Sequence, residues 1–229
     1  MVISNPLFGL FLCVLFYFAC LWFKTKLKLA WFNPLLFASI FIIGFLSMSD
    51  IAYEEFKEGA DIINLFLGPV TIILALPLYR QRHLLVRYRY AIMGGILAGV
   101  ISSALSVYFF SRMLGLSEIL YRSLIPHSLT TPIGISLSEM LEANVGISIV
   151  SVVITGVVGA AIAPVVMRLL RISDPVAKGI AIGTSSHALG TSKAIEMGET
   201  EGAMSGLAIG LAALTTILLF LLAQCFSLV

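Results

Sequence analysis

Charge is what this sequence has least of. Its 229 residues include 14 basic and 12 acidic side chains, 11% in all. Soluble globular domains carry about 25%. Hydrophobic residues make up 59%, and the mean hydropathy is +1.06. Too few charges remain to coat a soluble fold of this size, which excludes a soluble enzyme, a nucleic-acid binder and a disordered regulator. The net charge of +2 is too small to attract an anionic polymer. Cysteine is scarce too. Cys13, Cys20 and Cys225 each sit in an apolar run and read as free thiols, with neither a disulfide framework nor metal-ligand spacing. Catalytic patterns are missing: there is no HExxH, no GxSxG, no pair of membrane aspartates and no glycine-rich phosphate loop after a strand. Ser186 and His187 are adjacent, so on a helix they point about 100° apart and form no dyad. No catalytic residue, metal or cofactor is assigned. What remains is an all-α integral membrane protein.

A bilayer core of about 30 Å needs roughly 20 apolar residues in a helix. Six charge-free runs meet that need: Met1–Phe23, Leu29–Ser49, Ile62–Tyr79, Tyr90–Ser111, Ala143–Met167 and Gly202–Val229. The first lacks a basic n-region and an A-x-A site, so it reads as a retained span. Two shorter runs, Ser123–Ser138 and Gly179–Ser192, are rich in Ser, Thr, Gly and Pro and read as re-entrant or broken helices. No polar linker divides the chain, so residues 1–229 are expected to form one membrane domain. Basic loops follow the first and third spans, and Arg168, Arg171 and Lys178 surround the end of the fifth long run, whereas Asp50–Asp61 is acidic and is expected outside. The positive-inside rule then puts the amino terminus outside and the basic loops in the cytoplasm. That scheme closes if Ser123–Ser138 dips in from outside and returns.

Three places interrupt the helical pattern. The first is Gly68, Pro69 and Thr71, followed by Pro77. The second runs from Pro126 through His127, Ser128, Thr130 and Thr131 to Pro132. The third runs from Gly183 through Thr184, Ser185, Ser186 and His187 to Gly190 and Thr191. A half-helix that starts in mid-membrane presents free N–H groups and a positive dipole end. The Ser and Thr hydroxyls add donors without adding charge. Pro132 suits a first turn, with Thr131 as its cap. Such discontinuous helices form the midplane sites of secondary transporters, so a small carboxylate is the expected ligand. Two bland alternatives stand beside this one: the prolines and hydroxyls kink and glue helices, and His187 is a neutral histidine bonded between helices. Otherwise His187 meets the carboxylate or carries a coupling proton. Lys193 either supplies a positive charge or snorkels to the interface. Glu139 and Glu142 are expected to close the re-entrant turn.

Small residues recur at every fourth position in four rows: Gly202, Gly206 and Gly210; Ser151, Thr155, Gly159 and Ala163; Gly95, Gly99 and Ser103; and Gly179, Gly183, His187 and Thr191. The first three suggest close helix packing. The fourth suggests a narrow polar face for a small ligand.

At these residues the sequence resembles the LrgB/CidB family. The stretch from Ser123 to Gly134 is similar to its SLLPKSVTTPIA segment, and that from Gly183 to Glu196 to its GTASHGIGTARA-x-E segment. Asn33-Pro34, Leu67-Gly68-Pro69-Val70-Thr71, Ala75–Tyr79 and Glu201–Ala208 follow in order. His127 stands where the family usually has lysine, and Ser185 where alanine is common. The resemblance implies a multi-pass protein of the bacterial cytoplasmic membrane that works with a small holin-like partner of the LrgA/CidA type. It implies one of two roles. One is a carrier of small monocarboxylates such as pyruvate, glycolate or glycerate; the other is an antiholin-like regulator of murein hydrolase activity and autolysis without a substrate of its own. The broken helices favour the carrier, with Ser128, Thr130, Thr131, Thr184, Ser185, Ser186, His187, Thr191 and Lys193 at the substrate. A homo-oligomer is left open.

Overall fold

The computed structural model describes residues 7–27, 32, 34–66, 69, 76 and 79–225. These are helical, with no strand among them. The chain divides into two compact units, Met1–Ile73 and Leu74–Val229.

In the first unit, α1 (Phe8–Leu27) and α2 (Pro34–Met48) are apolar throughout. Phe11, Phe18 and Trp22 lie exposed on α1, as suits a helix whose solvent is hydrocarbon. Most of the acidic segment is helical, α3 (Tyr53–Asn64), with Glu54 and Glu55 in its first turn. It packs on α1, where Gly9 leaves room for the Phe56 carbonyl. Of the first expected break, Gly68, Thr71 and Pro77 lie outside the described residues; Pro69 is exposed.

The second unit holds α4 (Arg82–Met113), α5 (Glu118–Leu124) running into a 3-10 turn (Ile125–Ser128), α6 (Thr131–Met140), α7 (Val145–Leu169), α8 (Pro175–Met197) and α9 (Glu199–Cys225). Across both units, α1, α4, α7 and residues Glu199–Leu222 of α9 are long and apolar enough to cross a membrane. Six spans were expected, and these are the four that qualify among the described residues. Within Leu29–Ser49 the described helix is α2, 15 residues or about 22 Å long. Most of Ile62–Tyr79 lies outside the described residues.

Local chemistry sets the helix ends. Side chains of Ser117, Asn144 and Asp174 cap α5, α7 and α8 by accepting from Leu120, Ile147 and Ala177 N–H. At the other ends Gly115, Glu142 and Arg171 turn left-handed. Each is closed by a bond from the next residue's N–H: Leu116 to Ser111 O, Ala143 to Ser138 O and Ile172 to Met167 O, all 2.9 Å.

Two helical hairpins organise this unit. In the first, α5 and its 3-10 turn run out and α6 returns. Arg122 Nη1 donates to Leu141 O at 3.3 Å, and Pro126 lies against Gly134. Ser123 anchors this hairpin to α7: its Oγ accepts Asn144 N–H at 2.9 Å and donates to Ile119 O, while its carbonyl accepts Ser148 Oγ. Glu142 closes the turn with its backbone, and the exposed carboxylates of Glu139 and Glu142 play no part in it.

The second hairpin is α8 itself. A straight α8 followed by antiparallel α9 would set Gly179 far from residue 204. Instead a Cβ at Gly179 would meet Met204, and one at Gly183 would meet Ala208, so residues 175–186 run parallel to α9. On the return, Thr191 meets Ser205 and Ile195 meets Gly202, so residues 188–197 run antiparallel to it. The reversal falls at His187, whose φ of 40° and ψ of −136° leave the helix. Gly190 comes so close to Ser186 and Ile182 that a Cβ there would lie 2.5 Å from Ser186 Cβ.

Around this hairpin, Ile92, Ile96 and Val100 of α4 share a core with Val176 and Ile180 of α8 and Met204 and Ala208 of α9. Leu129, at the end of the first hairpin, packs with Ala213 and Phe220 of α9. Replacing the buried Ser123 by alanine removes its bond to the Asn144 N–H and leaves the Ser148 hydroxyl with a disturbed partner. The loss is expected to be about 1–3 kcal/mol, read as a lower thermal midpoint in detergent; an unchanged midpoint contradicts the anchor.

Candidate functional site

The two hairpins end against the same stretch of α7. That helix presents one buried face: Ser148, Val152, Gly156, Ala160, Ala163 and Met167. A Cβ on Gly134 of the first hairpin would touch Val152 Cγ2 at 3.4 Å. From the second hairpin, His187 Nε2 lies 3.0 Å from the Val152 carbonyl. The carbonyl only accepts, so Nε2 carries the proton. Glycine is what permits this approach: a Cβ on Gly156 would fall 2.5 Å from His187 Cε1, and one on Gly159 would collide with Ser186 Oγ. Gly156 is near the middle of the 25-residue α7, so the second hairpin turns halfway along the span.

The sequence-expected residues fall as follows. Ser128 is buried in the 3-10 turn, its Oγ 3.5 Å from Ser103 Oγ. Beside it His127 Nδ1 donates to Leu124 O at 2.9 Å, and Ser103 Oγ lies 3.2 Å from His127 Nε2. With Nδ1 protonated, a neutral ring accepts at Nε2, so Ser103 donates. Thr130 and Thr131 are half-buried at the start of α6. The capping position is Thr130 rather than Thr131, and its side chain makes no cap bond. Pro126 is buried at the hairpin's end, and Pro132 is exposed in the first turn of α6.

In the second hairpin, Thr184 is buried with its methyl against Gly99 of α4, and its Oγ1 has no hydrogen-bond partner. Ser185 is exposed, its Oγ 3.0 Å from Ser186 Oγ. Thr191 Oγ1 donates to His187 O at 2.9 Å and lies 2.7 Å from Ser205 Oγ. Thr191 thus braces the return arm on α9. The row Gly179, Gly183, His187 and Thr191 is not the single ligand face expected. Its glycines meet α9, and the reversal swings His187 onto α7. Lys193 Nζ sits 2.7 Å from Glu196 Oε2, and nothing joins it to the hydroxyl cluster.

The structure therefore brings Ser128, Thr184, Ser186 and His187 to the meeting of two hairpin ends. It adds Ser103, Gly156 and Gly159, which sequence reasoning did not place there. Ser103 and Gly159 were visible only as members of packing rows. Gly156 carried no signal, because its importance lies in what a neighbouring helix inserts. Two helix starts, residue 131 and residue 188, converge on this level with hydroxyls and no carboxylate. Such an arrangement suits a small anion. Among the described residues, no group of three His, Cys, Asp or Glu side chains is placed to hold a metal.

Two tests follow from the close contacts. Gly156→Ala must push the imidazole from Val152 and is expected to destabilise the protein by about 1–3 kcal/mol. Gly206→Ala, which meets open space, is expected to be within about 0.5 kcal/mol of neutral. At the reversal, His187→Gly should be more stable than His187→Ala by about 1 kcal/mol, because only glycine takes that backbone without strain. Thermal unfolding in detergent reads both; equal midpoints within either pair contradict the geometry.

Comparison with known proteins covers almost the whole chain. The LrgB-like family model matches residues 13–225. The antiholin-like protein LrgB of Bacillus subtilis (strain 168) is 35% identical over 196 residues, 86% of this chain and 85% of its own length. Those of Bacillus mycoides (strain KBAB4) and Bacillus cereus (strain B4264) are 34% and 33% identical over 93% of both chains. No solved structure matches.

Proposed function

The chain belongs to the LrgB-like family of membrane proteins, and from that premise we propose that it is an antiholin-like protein, restraining murein hydrolase activity and autolysis. The observation that carries this role is the end-to-end similarity to relatives named for it. The proposed setting is the bacterial cytoplasmic membrane, beside a holin-like partner of the LrgA/CidA type. The basic loops would face the cytoplasm. Parallel packing of α4 with the first arm of α8, and of that arm with α9, supports this by gathering Arg82, Lys178 and Glu199 at one end of the unit. Arg80 lies 3.9 Å from Glu199, and antiparallel α7 brings Arg168 to the same end. The first hairpin then re-enters from outside and the second from the cytoplasm. The test is expression in Bacillus subtilis lacking its own antiholin-like protein LrgB. Restored resistance to autolysis is expected; lysis indistinguishable from the empty vector contradicts the role.

A second reading, carriage of a small monocarboxylate, is favoured by one specific feature. Two half-helix starts and an unpartnered Thr184 hydroxyl meet at mid-span, costly features for a scaffold alone. In this reading Ser128, Thr130, Thr131, Thr184, Ser186 and His187 line the substrate path, and control of lysis follows from altered metabolite flux. Proteoliposomes holding the full chain and the holin-like partner should take up pyruvate, glycolate or glycerate. His187→Ala should cut uptake about tenfold, the equivalent of roughly 1.4 kcal/mol. No uptake above empty vesicles, with autolysis control intact, leaves the antiholin-like role standing without a substrate.

A further inference from the structure

Between the second half of α4 and the first half of α7 lies a cavity of about 500 Å³. Its walls are apolar almost throughout, with Phe110, Leu114, Val150 and Ile154 among them. Each of these four is also more than half exposed. The cavity therefore opens onto whatever surrounds α4 and α7, both of spanning length, and for a span that medium is hydrocarbon.

Its polar lining residues are Ser106, Ser111, His127, Ser151 and Thr155. Ser111 lines it in the closing turn of α4, beside Arg112 and four residues before the left-handed Gly115. Ser111 is 4% exposed, and its Oγ has no hydrogen-bond partner. A buried hydroxyl left unmatched costs about 1–3 kcal/mol, so this atom calls for a ligand acceptor. Its place at a span's end is the depth at which glycerol ester carbonyls lie. At the inner end stands His127, on the end of the first hairpin. Along α7 the lining runs from Ile147 to Thr155, about 12 Å of helix. The shape is that of a slot for an alkyl chain, with the unpartnered hydroxyl of Ser111 in its lining while those of Ser106 and Ser151 are spent on backbone carbonyls.

We propose that this cavity holds one acyl chain of a bilayer phospholipid. The ester carbonyl of that chain accepts from Ser111 Oγ, and its inner methylenes rest against the His127 ring. The bound chain is a wall of the first hairpin, so bilayer composition bears directly on where that hairpin's end sits. The assignment does not depend on whether the protein carries a solute.

The test uses the full chain in phosphatidylglycerol vesicles doped with a phosphatidylglycerol bearing a mid-chain diazirine, with adducts mapped by mass spectrometry. Adducts are expected to concentrate in residues 106–116 and 147–155. Ser151→Phe and, from the opposite wall, Ser106→Phe fill the slot. Each should lower those adducts about fivefold while leaving those on α1 unchanged, since a filled cavity has no room for the chain. Ser111→Ala should lower them about threefold through the lost hydrogen bond. Adducts spread evenly over the exposed apolar faces and insensitive to both filling substitutions overturn the proposal. Labelling by a diazirine fatty acid but not by the phospholipid overturns it as well.

Discussion

The second unit depends on one surface: the middle of α7, where two glycines and a carbonyl receive the ends of two hairpins. A chain that turns back in mid-membrane leaves N–H and C=O groups without helical partners, and hydrocarbon offers none. The reversal at residue 187 lies against the middle of α7, a helix of spanning length, and protein there approaches to backbone distance. Gly156 and Gly159 make the groove, and Ser186 and His187 fill it. The imidazole bond to Val152 O then fixes the turn in place. From the other side Gly134 rests on the same Val152, while Ser123 and Ser148 hold the base of its hairpin.

His187 is unlike the other left-handed residues. Asp50, Glu142 and Arg171 also have positive φ, but each follows a helix end and is closed by a backbone bond of the next residue. His187 interrupts a helix, and its ψ of −136° belongs to a region that glycine favours. A histidine there costs about 1–3 kcal/mol of backbone strain, held by packing on three neighbours: α4 through Gly99 and Thr184, α7 through Gly156 and Gly159, and α9 through Gly183 and Thr191. Strain of that kind persists where a side chain is wanted that glycine lacks. Here that side chain is an imidazole aimed at the neighbouring span.

Much of this was legible in the sequence. Dense Ser, Thr, Gly and Pro inside runs too short to span marked both hairpins, and scarce charge marked the membrane. The rows through Gly99 and Gly159 marked helix faces that do pack closely. What was not legible depended on partners in space. Periodicity treats residues 179–191 as one face, and only the reversal at His187 sends its members to two different helices. Gly206 and Gly210 extend a small-residue row, yet a Cβ at either would meet open space, because their neighbours lie elsewhere. Pro164 lies inside α7 without ending it, which composition alone would not suggest.

The carrier reading, and the meeting of hairpin ends on α7, require α8 to double back. That reversal is open to a direct distance measurement. Nitroxides at Ala177→Cys and Ile195→Cys, in a chain whose three cysteines are replaced by serine, report it by electron paramagnetic resonance. Doubling back brings both labels beside residues 201–205 of α9, so strong dipolar broadening is expected, at a separation of about 10–15 Å, close to helix-packing distance. A separation near 27 Å, the rise of an unbroken helix over those residues, would contradict the reversal and the meeting of hairpin ends built on it.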